Sequence, residues 1–141
     1  MEYTLSIIKP DATERNLTQK INEIFNKNGL TVVEQKEVQL TRKDAEEFYA
    51  EHKERPFYND LVEYMISGPV VIQVLAGNDA IKKNRDVMGA TNPKDAAPNT
   101  VRALYGESID RNSVHGSDSP QSAKREISFF FNYDEVTATK Q

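Results

Sequence analysis

The chain has 141 residues, a formal net charge of −4 and no cysteine. Its length is typical of one compact domain, so we predict a single domain over residues 1–141. The acidic balance disfavours a strongly basic nucleic-acid-binding protein, and the lack of cysteine excludes disulfides, thiolate nucleophiles and cysteine-based zinc sites. The apolar run at the N-terminus is far shorter than the about 20 residues of a membrane span. The composition is compatible with a cytoplasmic protein that uses no membrane.

The first forty residues alternate between strand and helix patterns. Residues 4–9 are mostly apolar and β-branched and predict a first strand. Apolar residues then recur at helical spacing over residues 17–29, and Gly29 is the predicted stop. Residues 30–40 are partly alternating and β-branched, which predicts a second strand.

The next segment predicts two helices. Thr41 and Asp44 have the spacing of a capping box, which would open a helix over residues 42–52. Pro56 breaks the chain, and residues 57–67 then predict another short helix before a Gly-Pro pair.

The most apolar run of the chain, residues 70–77, is predicted as the central strand. A helix follows over residues 78–89, with Asn78 as its N-cap and Gly89 as its stop. The apolar content then falls over residues 89–100. An ordered loop of about a dozen residues is usually functional.

The last part of the chain predicts a short helical piece over residues 101–105 and a strand near Ser113–Val114. Ser119 is a suitable N-cap for a final helix from Pro120 to about Phe131. This order of elements predicts an α+β fold. We expect a ferredoxin-like sandwich, in which helices pack on a four-stranded antiparallel sheet.

His115 is one of only two histidines and stands among small polar residues. A lone histidine is most often structural or at the surface. Here Gly116 would leave space beside the imidazole, and Ser117 and Asp118 precede a helix whose free N–H groups favour anions. The residues alone leave both interpretations open.

Glu126 shares a helix face with Ala123 and Phe130, a face that we expect to be buried. A buried carboxylate needs a partner, and His115 is a candidate. An acid bonded to one ring nitrogen fixes the tautomer and leaves the other nitrogen free as a nucleophile. The alternative, a solvated Glu126 at the edge of this face, fits the sequence equally well.

Four cationic residues are candidate phosphate ligands: Lys9, Arg55, Arg85 and Arg102. Most basic residues are ordinary surface residues, but the guanidinium fork and the lysine point charge both suit phosphate oxygens. A nucleophilic histidine and a few such cations would be enough for phosphoryl transfer. Phe57 is either a core aromatic or a flat surface on which a nucleobase stacks.

Signatures of other nucleotide-binding proteins are missing from the sequence. It has no GxxxxGK[ST] loop, no GxGxxG and no HRD or DFG set. The sequence therefore excludes a P-loop enzyme, a protein kinase and a dinucleotide-binding fold of the usual type.

The segment NSVHGSDS, residues 112–119, resembles the active-site signature of nucleoside diphosphate kinases, which runs N-x-x-H-G-S-D-S. The blocks IIKPDA, ERPFY, LVEYMISGPVV, NRDVMGATNP and REISFFF also resemble blocks of that family, in the same order. The resemblance covers essentially the whole chain, and the length is similar to that of the short bacterial members.

The resemblance implies transfer of the γ-phosphate of a nucleoside triphosphate, usually ATP, to a nucleoside diphosphate. It implies a ping-pong reaction through a phosphohistidine on His115 that maintains NTP and dNTP pools. Glu126 and Ser117 would orient the ring, and Tyr49 would lie near the transferred phosphate. Lys9 would also be catalytic, whereas Arg55 matches a position that is more structural than catalytic and so leaves the list of candidate phosphate ligands. The residues implied to hold the nucleotide are Lys9, Phe57, Leu61, Arg85, Thr91, Arg102 and Asn112.

The resemblance also implies partners and an assembly. Mg²⁺ would be carried by the nucleotide phosphates without a direct protein ligand. The bound partners would be nucleoside di- and triphosphates of any base and sugar, with no obligatory nucleic acid. The family forms homo-oligomers, and tetramer and hexamer are both open. Asn99 stands where the family usually has glycine; asparagine tolerates left-handed backbone angles, so we expect that turn to be kept.

A non-catalytic nucleotide- or nucleic-acid-binding module on the same fold is the alternative. The acidic net charge and the intact histidine motif argue against it. Labelling with γ-labelled ATP distinguishes the two, because only the enzyme acquires label.

Overall fold

The computed structural model describes residues 1–109 and 111–139, which form an α+β sandwich. Asp110, Lys140 and Gln141, which belong to the predicted 1–141 domain, lie outside the described residues. The strands are β1 (Glu2–Ile8), β2 (Thr31–Val38), β3 (Val70–Gly77) and β4 (Val114–Gly116). The helices are α1 (Pro10–Thr13), α2 (Thr18–Lys27), α3 (Arg42–Phe48), α4 (Tyr58–Met65), α5 (Ala80–Met88), α6 (Val101–Tyr105), α7 (Pro120–Phe130) and α8 (Tyr133–Thr139). Short 3₁₀ turns occupy Ala50–His52 and Pro93–Asp95.

The four strands form one antiparallel sheet in the order β2-β3-β1-β4. β1 and β2 are joined through α1 and α2, and β3 lies between them, so the first half is a split βαβ unit. The predicted ferredoxin-like sandwich with a four-stranded antiparallel sheet is confirmed. So is the central place of β3, which pairs with both β1 and β2.

Helices cover both faces of the sheet, so β1 and β3 are buried along nearly their whole length. Leu5 and Ile7 of β1 belong to the apolar cluster that includes residues of α3, α4 and α7. Ile8 belongs to a second cluster, which includes residues of α2, α5 and α6. Alternation along β1 thus divides the core between two layers.

Several predicted helix ends are confirmed. Thr41 accepts from Asp44 N, and the Asp44 side chain accepts from Thr41 N, so the capping box is complete. The Ser119 hydroxyl accepts from Ser122 N at the start of α7. Gly89 follows α5 with a φ of +89°, which suits glycine.

The prediction that Asn78 caps α5 is wrong. The chain leaves β3 through Asp79, which has a left-handed φ of +51°, and α5 begins at Ala80. The Ile81 N–H is instead satisfied by the Glu2 carboxylate on β1, at 2.9 Å. Glu2, 79 residues away in the sequence, thus satisfies a backbone donor of the first turn, where the sequence predicted Asn78 as the cap.

Other differences concern short elements. The helix predicted over residues 42–52 ends at Phe48 and continues as the 3₁₀ turn. α1 and α8 were not predicted. β4 extends to Gly116, past the predicted Ser113–Val114, and therefore includes His115.

Candidate active site

His115 stands at the middle of β4, opposite Ile7 of β1 in the antiparallel register. Its ring packs edge-on against two aromatic rings at the end of α3. The centroid of the His115 ring is 5.5 Å from that of Phe48 and 6.2 Å from that of Tyr49. These two aromatic rings therefore hold the imidazole in place, while 22% of the His115 side chain stays accessible.

Glu126 of α7 fixes the orientation of this imidazole. Its Oε1 lies 2.9 Å from His115 Nε2 and also accepts from the Ser117 hydroxyl at 2.9 Å. Ser117 is buried, and its hydroxyl accepts from Leu5 N. An ionised carboxylate only accepts, so the proton resides on Nε2 and the Nδ1 lone pair is free.

Arg125 lies on the other side of the Glu126 carboxylate. Its guanidinium is 3.5 Å from Glu126 Oε2 and 3.6 Å from the Glu51 carboxylate. The same group lies over the Phe48 ring, 6.0 Å from the centroid. Glu126 thus has a partner on each oxygen, as a carboxylate buried to 5% exposure requires.

Tyr49 is buried beside this pair. Burial, and secondarily the charge of Glu126, raises the pKa of Tyr49 above its ordinary value. Its hydroxyl therefore stays protonated. None of the described residues forms a hydrogen bond with that hydroxyl, so it is a buried donor without a partner in this part of the chain.

Lys9, Asn112 and Thr91 are brought together at the ends of three different elements. Lys9 follows β1, and its Nζ donates to Asn112 Oδ1 at 3.0 Å. The Asn112 amide nitrogen donates to the carbonyl oxygens of Thr91 and Ile109, at 3.1 and 3.2 Å. Lys9 and Asn112 are both buried. The long loop after α5 is thereby fastened to the segment that leads into His115.

Arg102 of α6 links the end of α5 to β4. Its guanidinium donates to the carbonyl oxygens of Gly89 and Val114, both at 2.9 Å. Burial, helped by the charge of Arg85, lowers the pKa of Arg102 to about 10. Arg102 is therefore still a cation at neutral pH, and in the described part of the chain its Nε has no partner. Arg85 itself is exposed on α5.

Phe57 and Leu61 lie one helical turn apart at the start of α4. Phe57 is 45% exposed, and its ring is 5.8 Å from that of His52, which in turn lies 6.4 Å from the Tyr49 ring. Leu61 is half-buried against the apolar core. The exposed phenyl ring is thus connected to the His115 pocket through His52. Arg55 is exposed, and its backbone N–H donates to the His52 carbonyl oxygen.

The sequence predicted that Gly116 would leave space beside the imidazole, and this prediction is wrong. A Cβ on this residue would lie 2.3 Å from Asn84 Nδ2 and 2.8 Å from Met88 Cε. That space is taken by α5, which packs closely on β4. The glycine therefore serves helix–strand packing behind the histidine.

Sequence reasoning missed three features of the site: the Phe48 ring, the Arg125 guanidinium and a left-handed backbone at Ser113. Phe48 carried a weak signal, since it continues the apolar spacing of α3. Arg125 and Ser113 carried none, because each acts through a residue on another element.

The described side chains of the site form no metal-binding cluster. Over residues 1–109 and 111–139, no three histidine, aspartate or glutamate side chains cluster as metal ligands. Asp118 is an exposed carboxylate whose pKa is lowered chiefly by a hydrogen bond from Ser122, with smaller contributions from Arg85 and His115. None of the described helices has the length and apolar content needed to cross a bilayer.

An imidazole with a fixed tautomer can act as a nucleophile, and cations in the same site can stabilise the charge of a transferred phosphoryl group. The family profile for "Nucleoside diphosphate kinase" matches residues 2–136. The chain belongs to the nucleoside diphosphate kinase family.

Relatives and solved structures agree with this assignment. The chain is 65% identical to a nucleoside diphosphate kinase of Gluconobacter oxydans, over 96% of this chain and 97% of that one. It is 63% identical to one of Gluconacetobacter diazotrophicus, over 96% of each. The Aquifex aeolicus nucleoside diphosphate kinase superposes with a TM-score of 0.91 at 46% identity, over 93% of this chain and 95% of that chain. A Halobacterium salinarum nucleoside diphosphate kinase in complex with CDP gives 0.90 at 40% identity, over 95% and 90%.

The protein is therefore a phosphotransferase that moves the γ-phosphate of a nucleoside triphosphate to a nucleoside diphosphate. Reactions of this kind depend on a divalent metal cation, which neutralises the phosphate charge.

Proposed function

We propose that His115 carries the phosphoryl group between the two nucleotides. The observation that supports this most is the 2.9 Å contact between His115 Nε2 and Glu126 Oε1, a buried carboxylate. It fixes the ring on one side and leaves Nδ1 with its lone pair on the other. A nucleophile that is oriented in this way does not need to lose a proton before it attacks.

In the first half-reaction, Nδ1 attacks the γ-phosphorus of the triphosphate. The N–P bond forms as the bond to the β,γ-bridging oxygen breaks, and the diphosphate leaves with that electron pair. The ring gains positive character, which Glu126 stabilises across the Nε2–H. In the second half-reaction, a terminal oxygen of another diphosphate attacks the same phosphorus, and the N–P electrons return to Nδ1.

The cations and donors around His115 would hold the phosphates. Lys9, Arg85 and Arg102 supply positive charge, which phosphoryl transfer requires because charge spreads over the phosphate oxygens. The Tyr49 hydroxyl and the Arg102 Nε are buried donors that lack partners among the described residues, so a phosphate oxygen would satisfy them. Thr91 and Asn112 would add hydrogen bonds to phosphate and ribose.

Phe57 would stack on the base, with Leu61 against the same base. Stacking uses the π-face that every base has, so it selects no base edge. We therefore propose broad specificity for purines and pyrimidines, ribose and deoxyribose. The Halobacterium salinarum relative in complex with CDP supports pyrimidine nucleotides as ligands here.

We propose Mg²⁺ as the divalent cation. The donors of the site are mostly cations and amides, which fits an ion carried on the nucleotide rather than on protein ligands. Asp118, exposed and within electrostatic range of His115 and Arg85, would bind the water shell of the ion. When bound, the ion shields the β- and γ-phosphate charges. EDTA should abolish turnover, and added Mg²⁺ should restore it.

Initial-rate kinetics test the proposed sequence of steps. With ATP varied at several fixed concentrations of dTDP, double-reciprocal plots should be parallel, because the first diphosphate leaves before the second binds. His115→Ala should bind a fluorescent nucleotide analogue with about wild-type affinity and show no turnover. Intersecting lines, or turnover in His115→Ala, would sink the proposal.

Three further proposals concern the whole chain. We propose that residues 1–141 form one domain, that the protein is a cytoplasmic homo-oligomer, and that it requires no nucleic acid. β2 is the outer strand of the sheet, and an outer strand can pair with a neighbouring subunit. Asn99 has a left-handed φ of +70°, as expected for a residue at a position usually held by glycine. Light scattering would decide between tetramer and hexamer, and a monomer would contradict the proposed assembly.

A further inference from the structure

Ser113 occupies a strained turn immediately before the catalytic strand. Its φ is +76°, and Val114 N donates to Asn112 O at 2.9 Å, so the three residues form a γ-turn. Serine adopts this backbone region rarely, and such strain persists only where the surroundings hold it. The turn therefore needs a constraint from elsewhere in the molecule.

The constraint is the carboxylate of Asp11. Ser113 is fully buried, and its hydroxyl donates to Asp11 Oδ2 at 3.1 Å. Arg15 donates to the same oxygen at 3.3 Å, and the Tyr64 hydroxyl donates to Oδ1. Asp11 is itself fully buried, and three donors hold it: Arg15 from the following turn, Tyr64 from α4 and Ser113 from the segment before β4. A carboxylate held in this way is a rigid acceptor for the serine hydroxyl.

A second hydrogen bond holds the same turn, and it comes from Lys9, the residue before Pro10. Lys9 N donates to Ser113 O at 2.8 Å, so the turn is bound through both its hydroxyl and its carbonyl. Lys9 Nζ reaches Asn112 Oδ1 at 3.0 Å across this junction. The relative position of Lys9 and Asn112 thus depends on a turn that Asp11 keeps in its strained form.

We infer that Asp11 is a positioning residue for the nucleotide site, which acts by holding Ser113 in its left-handed conformation and so keeps Asn112 beside Lys9. This inference rests on the proposed assignment of Lys9 and Asn112 as nucleotide ligands. Asp11 touches neither nucleotide nor reacting atoms. Its influence should therefore appear in nucleotide binding more than in the chemistry at His115, whose contact with Glu126 is separate from the turn.

A pair of substitutions at one position separates anchoring from backbone preference. Ser113→Ala removes the hydroxyl and keeps the cost of a left-handed backbone, whereas Ser113→Gly removes the hydroxyl and that cost together. We expect Ser113→Ala to raise KM for ATP and for dTDP about tenfold and to change kcat less than about threefold. Ser113→Gly should stay within about threefold of wild type in both constants. Ser128→Ala, on the exposed face of α7, is the control for loss of a serine hydroxyl.

The double variant Asp11→Ala/Ser113→Gly distinguishes positioning from a general loss of stability. Asp11→Ala should raise KM as Ser113→Ala does and should also lower Tm, because Arg15 and Tyr64 lose their buried acceptor. Adding Ser113→Gly should restore KM to within about threefold of wild type while Tm stays low. A merely structural role of Asp11 would move KM and Tm together.

Two results would overturn the inference: equal KM values for Ser113→Ala and Ser113→Gly, or a KM of the double variant no lower than that of Asp11→Ala. The variants Lys9→Ala and Asn112→Ala show whether the site assignment itself fails. If they leave KM and kcat unchanged, the proposed nucleotide site is wrong. If they weaken binding while the Ser113 pair behaves alike, only the role of Asp11 is wrong.

Discussion

At the scale of single residues, the two histidines of the chain differ in what faces them. His52 Nε2 lies 3.8 Å from the carboxylate of Glu51, whose side chain is 60% exposed, and an exposed pair of this kind adds little. His115 Nε2 lies 2.9 Å from a carboxylate that is 5% exposed and has further partners. Only the second arrangement fixes which ring nitrogen carries the proton.

The substitution Glu126→Gln tests this orientation. A neutral amide can present either its oxygen or its NH₂ to Nε2, so the ring loses its fixed tautomer and the developing positive charge loses its counter-charge. We expect kcat/KM to fall about 100-fold, with nucleotide affinity nearly unchanged. Steady-state kinetics and equilibrium binding of the nucleotide measure the two separately. A kcat/KM within about twofold of wild type would show that the carboxylate does not orient the nucleophile.

The sequence predicted the chemical role of single residues better than it predicted which other residues lie next to them. Glu126 was a candidate partner of His115 because a helical spacing put it on a buried face, and the structure brings the two into contact. Gly116 was misjudged because nothing local reveals that Asn84 and Met88 fill the space beside it. Arg125 acts through another residue, which no pattern along the chain encodes.

At the scale of elements, α7 is the support of the site, because it carries Glu126 and begins beside His115. Ser119 caps it, and Asp118 precedes the cap with a side chain that accepts from Ser122. An acid at this end of a helix is favoured by the exposed N–H groups and the helix dipole. The start of α7 is therefore stabilised by groups that also lie close to the proposed phosphate site.

The substitution Asp118→Asn tests this end of the helix through pH. The Ser122 hydrogen bond, followed by the nearby positive charges, lowers the pKa of Asp118, whose ordinary value is 3.8. A lowered folded-state pKa means that ionised Asp118 adds stability fully above pH 3.8 and that this stability is lost as pH falls through the lower, folded-state pKa. Urea unfolding should show Asp118→Asn less stable than wild type at neutral pH. The difference should shrink progressively as pH falls below 3.8; a difference independent of pH would contradict this expectation.

Element boundaries show where sequence patterns lose their power. The Thr41–Asp44 box was predictable because both partners lie in one turn. The start of α5 was not, because Glu2 on a distant strand satisfies its first turn and Asp79 adopts a left-handed backbone. α8 was missed because residues 133–138 carry a single buried apolar side chain, that of Val136, and so show little helical patterning.

At the scale of the whole molecule, the sheet has an apolar cluster on each face, and one of these clusters contacts the imidazole of His115. His115 and the apolar cluster that includes Phe48 lie on one face, and the cluster that includes Phe25 lies on the other. The fold class was predictable because the order of strand and helix patterns survives small errors in their ends. Which of the two clusters contacts His115 was not predictable, since it depends on which side chains of β1 and β4 point to which layer.

A matched pair of core substitutions tests whether the contact between Phe48 and His115 affects activity beyond its effect on stability. Phe25→Ala and Phe48→Ala each remove a buried phenyl ring and should each lower the free energy of unfolding by about 3–5 kcal/mol. Phe48→Ala should also lower kcat/KM about tenfold, because its ring packs against the imidazole of His115. Phe25→Ala should keep wild-type kcat/KM at temperatures where it is folded. Equal losses of activity in both variants would mean that activity follows stability alone.

The central claim is that the phosphoryl group resides on His115 between the two nucleotides, and labelling tests it most directly. The protein is incubated with γ-labelled ATP and Mg²⁺, freed of nucleotide, and mapped by peptide. We expect label on His115 that is stable to base, labile to acid, and lost at once when any nucleoside diphosphate is added. No label on the intact protein, or label on another residue while turnover continues, would contradict it.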